Sequence, residues 1–133
     1  MNRVSRTGIL LLAMATIAAC AKLATRDAMP ACRPAPLGDA VLYLRGSMNN
    51  WAALDEYAFQ YRCDAYYLNV DFAASHDFKV ADAAWSDAGT FGAPAGGNGL
   101  LSAGSAYRPA NNRGGSGTGN LRFAFKGEHT IRL

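Results

Sequence analysis

The sequence predicts an all-β fold, an antiparallel β-sandwich. Three observations carry that expectation: short runs that alternate apolar and polar residues, turn formers between them, and no 3.6-residue period anywhere after residue 20. The runs follow one another from Asp39 onward. Val41-Leu42-Tyr43-Leu44-Arg45 is the first, closed by Gly46-Ser47. Residues 57–62 (YAFQYR) then put Tyr57, Phe59 and Tyr61 on one face. The clearest run sets Tyr66, Leu68, Val70 and Phe72 against Tyr67, Asn69 and Asp71. Phe78 and Val80 next oppose Asp77, Lys79 and Ala81, and Leu121, Phe123 and Phe125 oppose Arg122 and Lys126. His129, Ile131 and Leu133 alternate at the end. Each such strand has one face to bury, and two sheets packed face to face bury them all.

Residues 92–119 break the rhythm, with nine glycines in 28 positions. Ordering so many glycines costs more backbone entropy than their few apolar neighbours offset. A partly disordered insertion is therefore expected, with Leu100, Leu101 and Tyr107 tacking its middle to the sandwich.

The first nineteen residues have the layout of an export signal. Arg3 and Arg6 precede an apolar core from Gly8 to Ala15, and small residues lead into Cys20. That core is too short to cross about 30 Å of hydrocarbon, which takes roughly 20 residues. Ile17-Ala18-Ala19-Cys20 resembles the bacterial lipobox. The resemblance implies a signal peptide over 1–19, cleavage before Cys20, acylation of that cysteine, and attachment to the cell envelope. Ala21 gives no inner-membrane retention signal, so the outer membrane is expected. Several acyl chains anchor stably where one gives only marginal binding. Residues 20–38, with three prolines and no sustained period, read as a tether, and residues 39–133 as the domain.

Setting Cys20 aside leaves Cys32 and Cys63, available for one disulfide in an oxidising compartment, with two unrelated thiols as the alternative. Loss of Arg3 and Arg6 with the signal brings the formal charge from +3 to +1. That balance gives no electrostatic reason to expect a nucleic-acid partner.

Catalytic patterns are scarce. The chain has no Gly-x-Ser-x-Gly, no His-Glu-x-x-His and no Cys-x-x-Cys, and the GSGTGN stretch at 115–120 lacks the lysine of a phosphate loop. His76 and His129 stand far apart, and the carboxylates are spread as on a solvated face, with no two paired as glycoside hydrolysis needs. No enzyme activity, metal or cofactor is expected.

Aromatic and amide residues in turns stand out instead. Met48-Asn49-Asn50-Trp51 follows the first strand directly, and Lys79 is the outward member of HDFKVAD, with Trp85 a few residues on. An indole face beside amides and an ammonium suits a sugar, whose C–H face stacks on the ring while its hydroxyls take the polar groups.

In that order LYLRGSMNNW (42–51), HDFKVADAAW (76–85) and GTGNLRFAFKGEHTIRL (117–133) resemble the glycogen- and starch-binding modules of carbohydrate-binding family 48, most closely those of pullulanase-type lipoproteins. The resemblance spans about Asp39 to Leu133 and implies an early-set immunoglobulin-like sandwich. It also implies stacking by Trp51 and Trp85, hydroxyl binding by Lys79, and glucan contacts from Thr118 and Asn120. Ser116 departs from it, standing where kinase-type modules carry a leucine. The expectation is a non-catalytic, envelope-anchored α-glucan binder. An envelope protein-interaction module is the alternative, as is a truncated accessory domain of an amylolytic enzyme, since the catalytic barrel of about 250 residues is not in this chain.

Overall fold

A computed structural model describes residues 31–115 and 117–133 of the chain. The expected signal peptide, Cys20, the tether as far as residue 30, and Ser116 lie outside the described residues.

Among the described residues, eight strands form two antiparallel sheets around one core, as in a β-sandwich. In chain order they are β1 (Tyr43–Gly46), β2 (Gln60–Tyr61), β3 (Tyr66–Phe72), β4 (Ser75–Ala81), β5 (Thr90–Gly92), β6 (Ala110–Asn111), β7 (Leu121–Ala124) and β8 (Gly127–Arg132). The larger sheet runs β1-β4-β5-β6, with β7 also on β4; the smaller runs β2-β3-β8. Alternation sets the faces. In β1 and β4 the pairs Leu44↔Val80 and Gly46↔Phe78 turn inward, so Arg45↔Lys79 and Tyr43↔Ala81 turn outward.

Leu42, Leu44, Phe78, Val80, Leu121 and Phe125 meet Phe59, Tyr66, Leu68 and Val70 in the core. Burying each of these large side chains is worth about 1.5–3 kcal/mol. Most expected runs lie on these strands, but 57–62 does not remain whole. Asp55–Tyr57 forms a turn of 3-10 helix, and only Gln60–Tyr61 pairs with β3.

Two further expectations change. Residues 31–38 are not a free tether: Cys32 is bridged to Cys63 with Cα atoms 4.4 Å apart, and Ala35 and Leu37 pack against the core. The described residues of the 92–119 segment, expected to be partly disordered, are joined to the sheets. The segment carries the end of β5 and all of β6, pairs Ala93 with Gly119, and runs Leu100 beside Arg122. Backbone bonds offset the glycine entropy here: Ala93 and Gly119 exchange two at 2.9 Å, and Leu101 N–H donates to Arg122 at 2.9 Å. Leu101 and Tyr107 do pack on the core, whereas Leu100 is 58% exposed.

Candidate functional site

Two turns, one leaving each end of the antiparallel β1–β4 pair, carry the tryptophans. In the first, Asn49 is buried and does the work of a backbone unit: its Oδ1 accepts from Gly46 N–H at 2.9 Å and its Nδ2 donates to the Leu44 carbonyl at 2.8 Å. Trp51 N–H also returns to the Gly46 carbonyl, at 2.9 Å. This closure forces Asn50 and Trp51 into left-handed backbone, with φ of 50° and 62°.

The second turn follows β4. Asp82 Oδ1 accepts from Ser86 N–H at 2.8 Å, the Ser86 hydroxyl bonds to Asp82 Oδ2, and Asp82 N–H closes the loop on the Gly89 carbonyl at 3.1 Å. A Cβ on Gly89 would strike the Asp82 carboxylate. Trp85, inside this loop, is also left-handed, with φ of 57°. Partial burial pushes the Asp82 carboxyl up, but hydrogen bonds from Ser86 and the Ala84 amide outweigh it, and the group is held below its ordinary value.

Arg45 ties the two turns together. Only 7% exposed, it donates from Nε to the Trp51 carbonyl at 2.8 Å, and from Nη1 to the Asp82 and Ala83 carbonyls at 2.7 and 3.1 Å. Its guanidinium carbon lies 3.9 Å from the centroid of the Trp85 ring. Burial lowers the Arg45 pKa and the Asp82 carboxylate opposes that; a guanidinium stays charged regardless. The indole centroids end 6.4 Å apart with their planes tilted by 39°. Trp85 is 37% exposed and Trp51 half-buried.

Lys79 faces Arg45 across the β1–β4 register, on the same outward face. On its other side β4 changes partner: Ser75–Phe78 pair with β7, and Val80–Ala81 with β5. Lys79 stands at that handover and donates from Nζ to the Thr118 carbonyl at 2.7 Å. The close crossing of Thr118-Gly119 over β5 depends on Gly92, where a Cβ would fall 2.3 Å from the Gly119 carbonyl oxygen. Thr118 Oγ1 is buried without a hydrogen-bond partner among the described residues. Asn120 is exposed, one residue before β7.

The structure thus gathers Trp51, Trp85, Lys79 and Thr118 around Arg45 on one face, while Asn120 flanks the group without a direct link to the indoles. Arg45 is the member that sequence reasoning passes over. Its only signal is an arginine on the outward side of a strand, which is where solvated arginines also occur.

The two histidines take packing roles. His76 lies edge-on to Phe72 and bonds to Ser47 Oγ through Nδ1 at 2.9 Å; His129 lies edge-on to Phe123 and accepts from Lys126 N–H at 3.3 Å. Among the described residues no group of three or more His, Cys, Asp or Glu side chains is placed to hold a metal. Comparisons with protein-family models, with curated proteins and with solved structures gave no match to this chain.

Proposed function

We propose that this chain is a non-catalytic α-glucan-binding lipoprotein of the cell envelope, holding starch, glycogen or maltodextrin chains against Trp51 and Trp85. The observation that carries this reading is the pair of indoles 6.4 Å apart on the turns that follow β1 and β4, each in strained left-handed backbone. Strain of that kind persists where the surroundings over-determine it, and it clusters at binding sites. Two indole faces this close can be contacted by one oligosaccharide. Arg45 covers one face of Trp85, which leaves the other for a sugar ring, and Lys79 keeps two N–H donors beyond its bond to Thr118. The two-sheet architecture supports an early-set immunoglobulin-like fold of the family 48 kind, and the lipobox resemblance supports the envelope anchor.

A sugar ring covering about 50 Å² of indole contributes about 1 kcal/mol, so single sites are weak and density on a membrane matters. Trp51→Ala and Trp85→Ala should each weaken retention on immobilised amylopectin about five-fold while cooperative unfolding persists. Unchanged retention in both variants would overturn the proposal.

A second reading draws on the same cluster, because tryptophan and arginine are the residues that dominate protein interfaces. It requires a stoichiometric envelope protein, recovered from detergent-solubilised membranes and not displaced by maltoheptaose.

A further inference from the structure

The smaller sheet ends on β8, which pairs with β3 along one side only. Tyr66 and Leu133 exchange two backbone hydrogen bonds, at 3.1 and 3.0 Å, and antiparallel pairs alternate between bonded and non-bonded. The register therefore bonds Gly127, His129 and Ile131 to β3 as well, and turns the N–H and C=O groups of Glu128, Thr130 and Arg132 away from it. Those six groups have no hydrogen-bond partner among the described residues. All three residues are exposed, and neither a proline nor a bulge interrupts the strand, so this edge is open to a further strand.

Charge decides which strand fits. On the solvent face of the smaller sheet Glu128 lies directly opposite Asp71, and neither carboxylate has an ion-pair partner among the described residues. Like charges so placed destabilise the strand pair, and a cation on the free side of Glu128 offsets that. β8 carries such a cation four residues on, at Arg132. Its Nε donates to the Tyr67 hydroxyl at 3.0 Å and its Nη2 to Asp64 at 3.1 Å, which fixes the guanidinium on that same face and leaves Nη1 without a partner among the described residues.

We propose that this edge pairs with β8 of a second copy of the chain, antiparallel about a two-fold axis through Thr130. In that register Thr130 meets its own counterpart, and Glu128 of each copy meets Arg132 of the other. All six free groups of each β8 are then bonded, because the residues that face the edge oppose one another in bonded pairs. The two three-stranded sheets become one, with Ile131 and His129 meeting on its inner face. Neighbouring registers do worse. An axis through His129 sets Arg132 against Lys126 of the other copy, and an axis through Ile131 carries Glu128 past the last residue of the strand. Charges that elsewhere keep strands off an edge here admit one register of one partner.

Sedimentation equilibrium of the full-length protein in density-matched detergent should show a monomer–dimer equilibrium. Glu128→Arg and Arg132→Glu should each weaken dimerisation about ten-fold, since each sets like charges opposite one another at both ends of the shared pair. Mixing the two variants should restore it, because one copy then offers two cations and the other two anions. The double variant Glu128→Arg/Arg132→Glu should restore it alone. Both side chains are exposed and the Arg132–Asp64 pair contributes little to stability, so these variants fold. Thr130→Pro, which removes the central edge N–H and leaves the bonds to β3 intact, should abolish the dimer. A monomer at every concentration, a dimer indifferent to either reversal, or a mixture and a double variant no tighter than the single ones overturns the proposal, whatever amylopectin retention shows.

Discussion

Trp51 and Trp85 hold a backbone conformation that costs an L-residue roughly 1–2 kcal/mol, and glycine almost nothing. Arg45 offsets part of that cost by bonding to the Trp51 carbonyl and to the Asp82 and Ala83 carbonyls with one charged fork. Replacing either tryptophan with glycine should therefore leave a more stable protein than replacing it with alanine, by about 1 kcal/mol in urea unfolding. Both substitutions should lose amylopectin retention equally. A glycine variant no more stable than the alanine one would show that these turns are relaxed. Motif order in the sequence made the tryptophans and Lys79 legible. Arg45 was not, because its role depends on its own turn and the Asp82 turn, which begins 37 residues further on, meeting over it.

Strand β4 is the spine of the larger sheet, pairing with β1 on one edge and with β7 then β5 on the other. The divergence of β7 and β5 sets Lys79 at a gap, and the Asp77–Arg122 pair holds β7 to the near side. Arg122 grips Asp77 with two bonds, at 2.5 and 2.9 Å. Its hydrogen bond holds the Asp77 carboxyl below the ordinary aspartate value. A depressed folded pKa means the contribution to stability is present above the unfolded value, about 3.9, and disappears as pH falls through the lower folded one. The pair is solvent-exposed, with side chains 58% and 33% accessible, so the effect is small. Asp77→Asn should flatten the acid limb of the stability profile below about pH 4 and leave the neutral plateau nearly unchanged. A parallel profile in the variant would show the pair to be inert. Period-two alternation announced β3, β4, β7 and β8. It did not announce β5 and β6, because strands of three and two residues are too short to carry a period.

At the scale of the molecule, the disulfide fastens residues 31–38 to the β2–β3 turn and closes a loop of 31 residues. In the chain-entropy model a loop of that size contributes roughly 3–4 kcal/mol. Cys63→Ser should lower unfolding stability by about that amount, abolish the effect of reductant on the urea midpoint, and leave glucan retention intact below the midpoint. The reason for the last expectation is spatial: Cys63 precedes a strand of the smaller sheet, and the indoles stand on the outer face of the larger one. Retention lost together with the bridge would mean the two regions are coupled.

Residue order alone determined the all-β class and the inward members of the longer strands, since a period of two allows one assignment of faces. It also singled out the two turns that carry indoles. The tertiary structure decided what has no local signature. It paired β4 with three neighbours, folded the glycine-rich segment back onto β5 and β7, and buried Arg45 beneath two loops. Each of these is a contact between residues distant in the chain, formed because the closed core and paired backbone outweigh local preference.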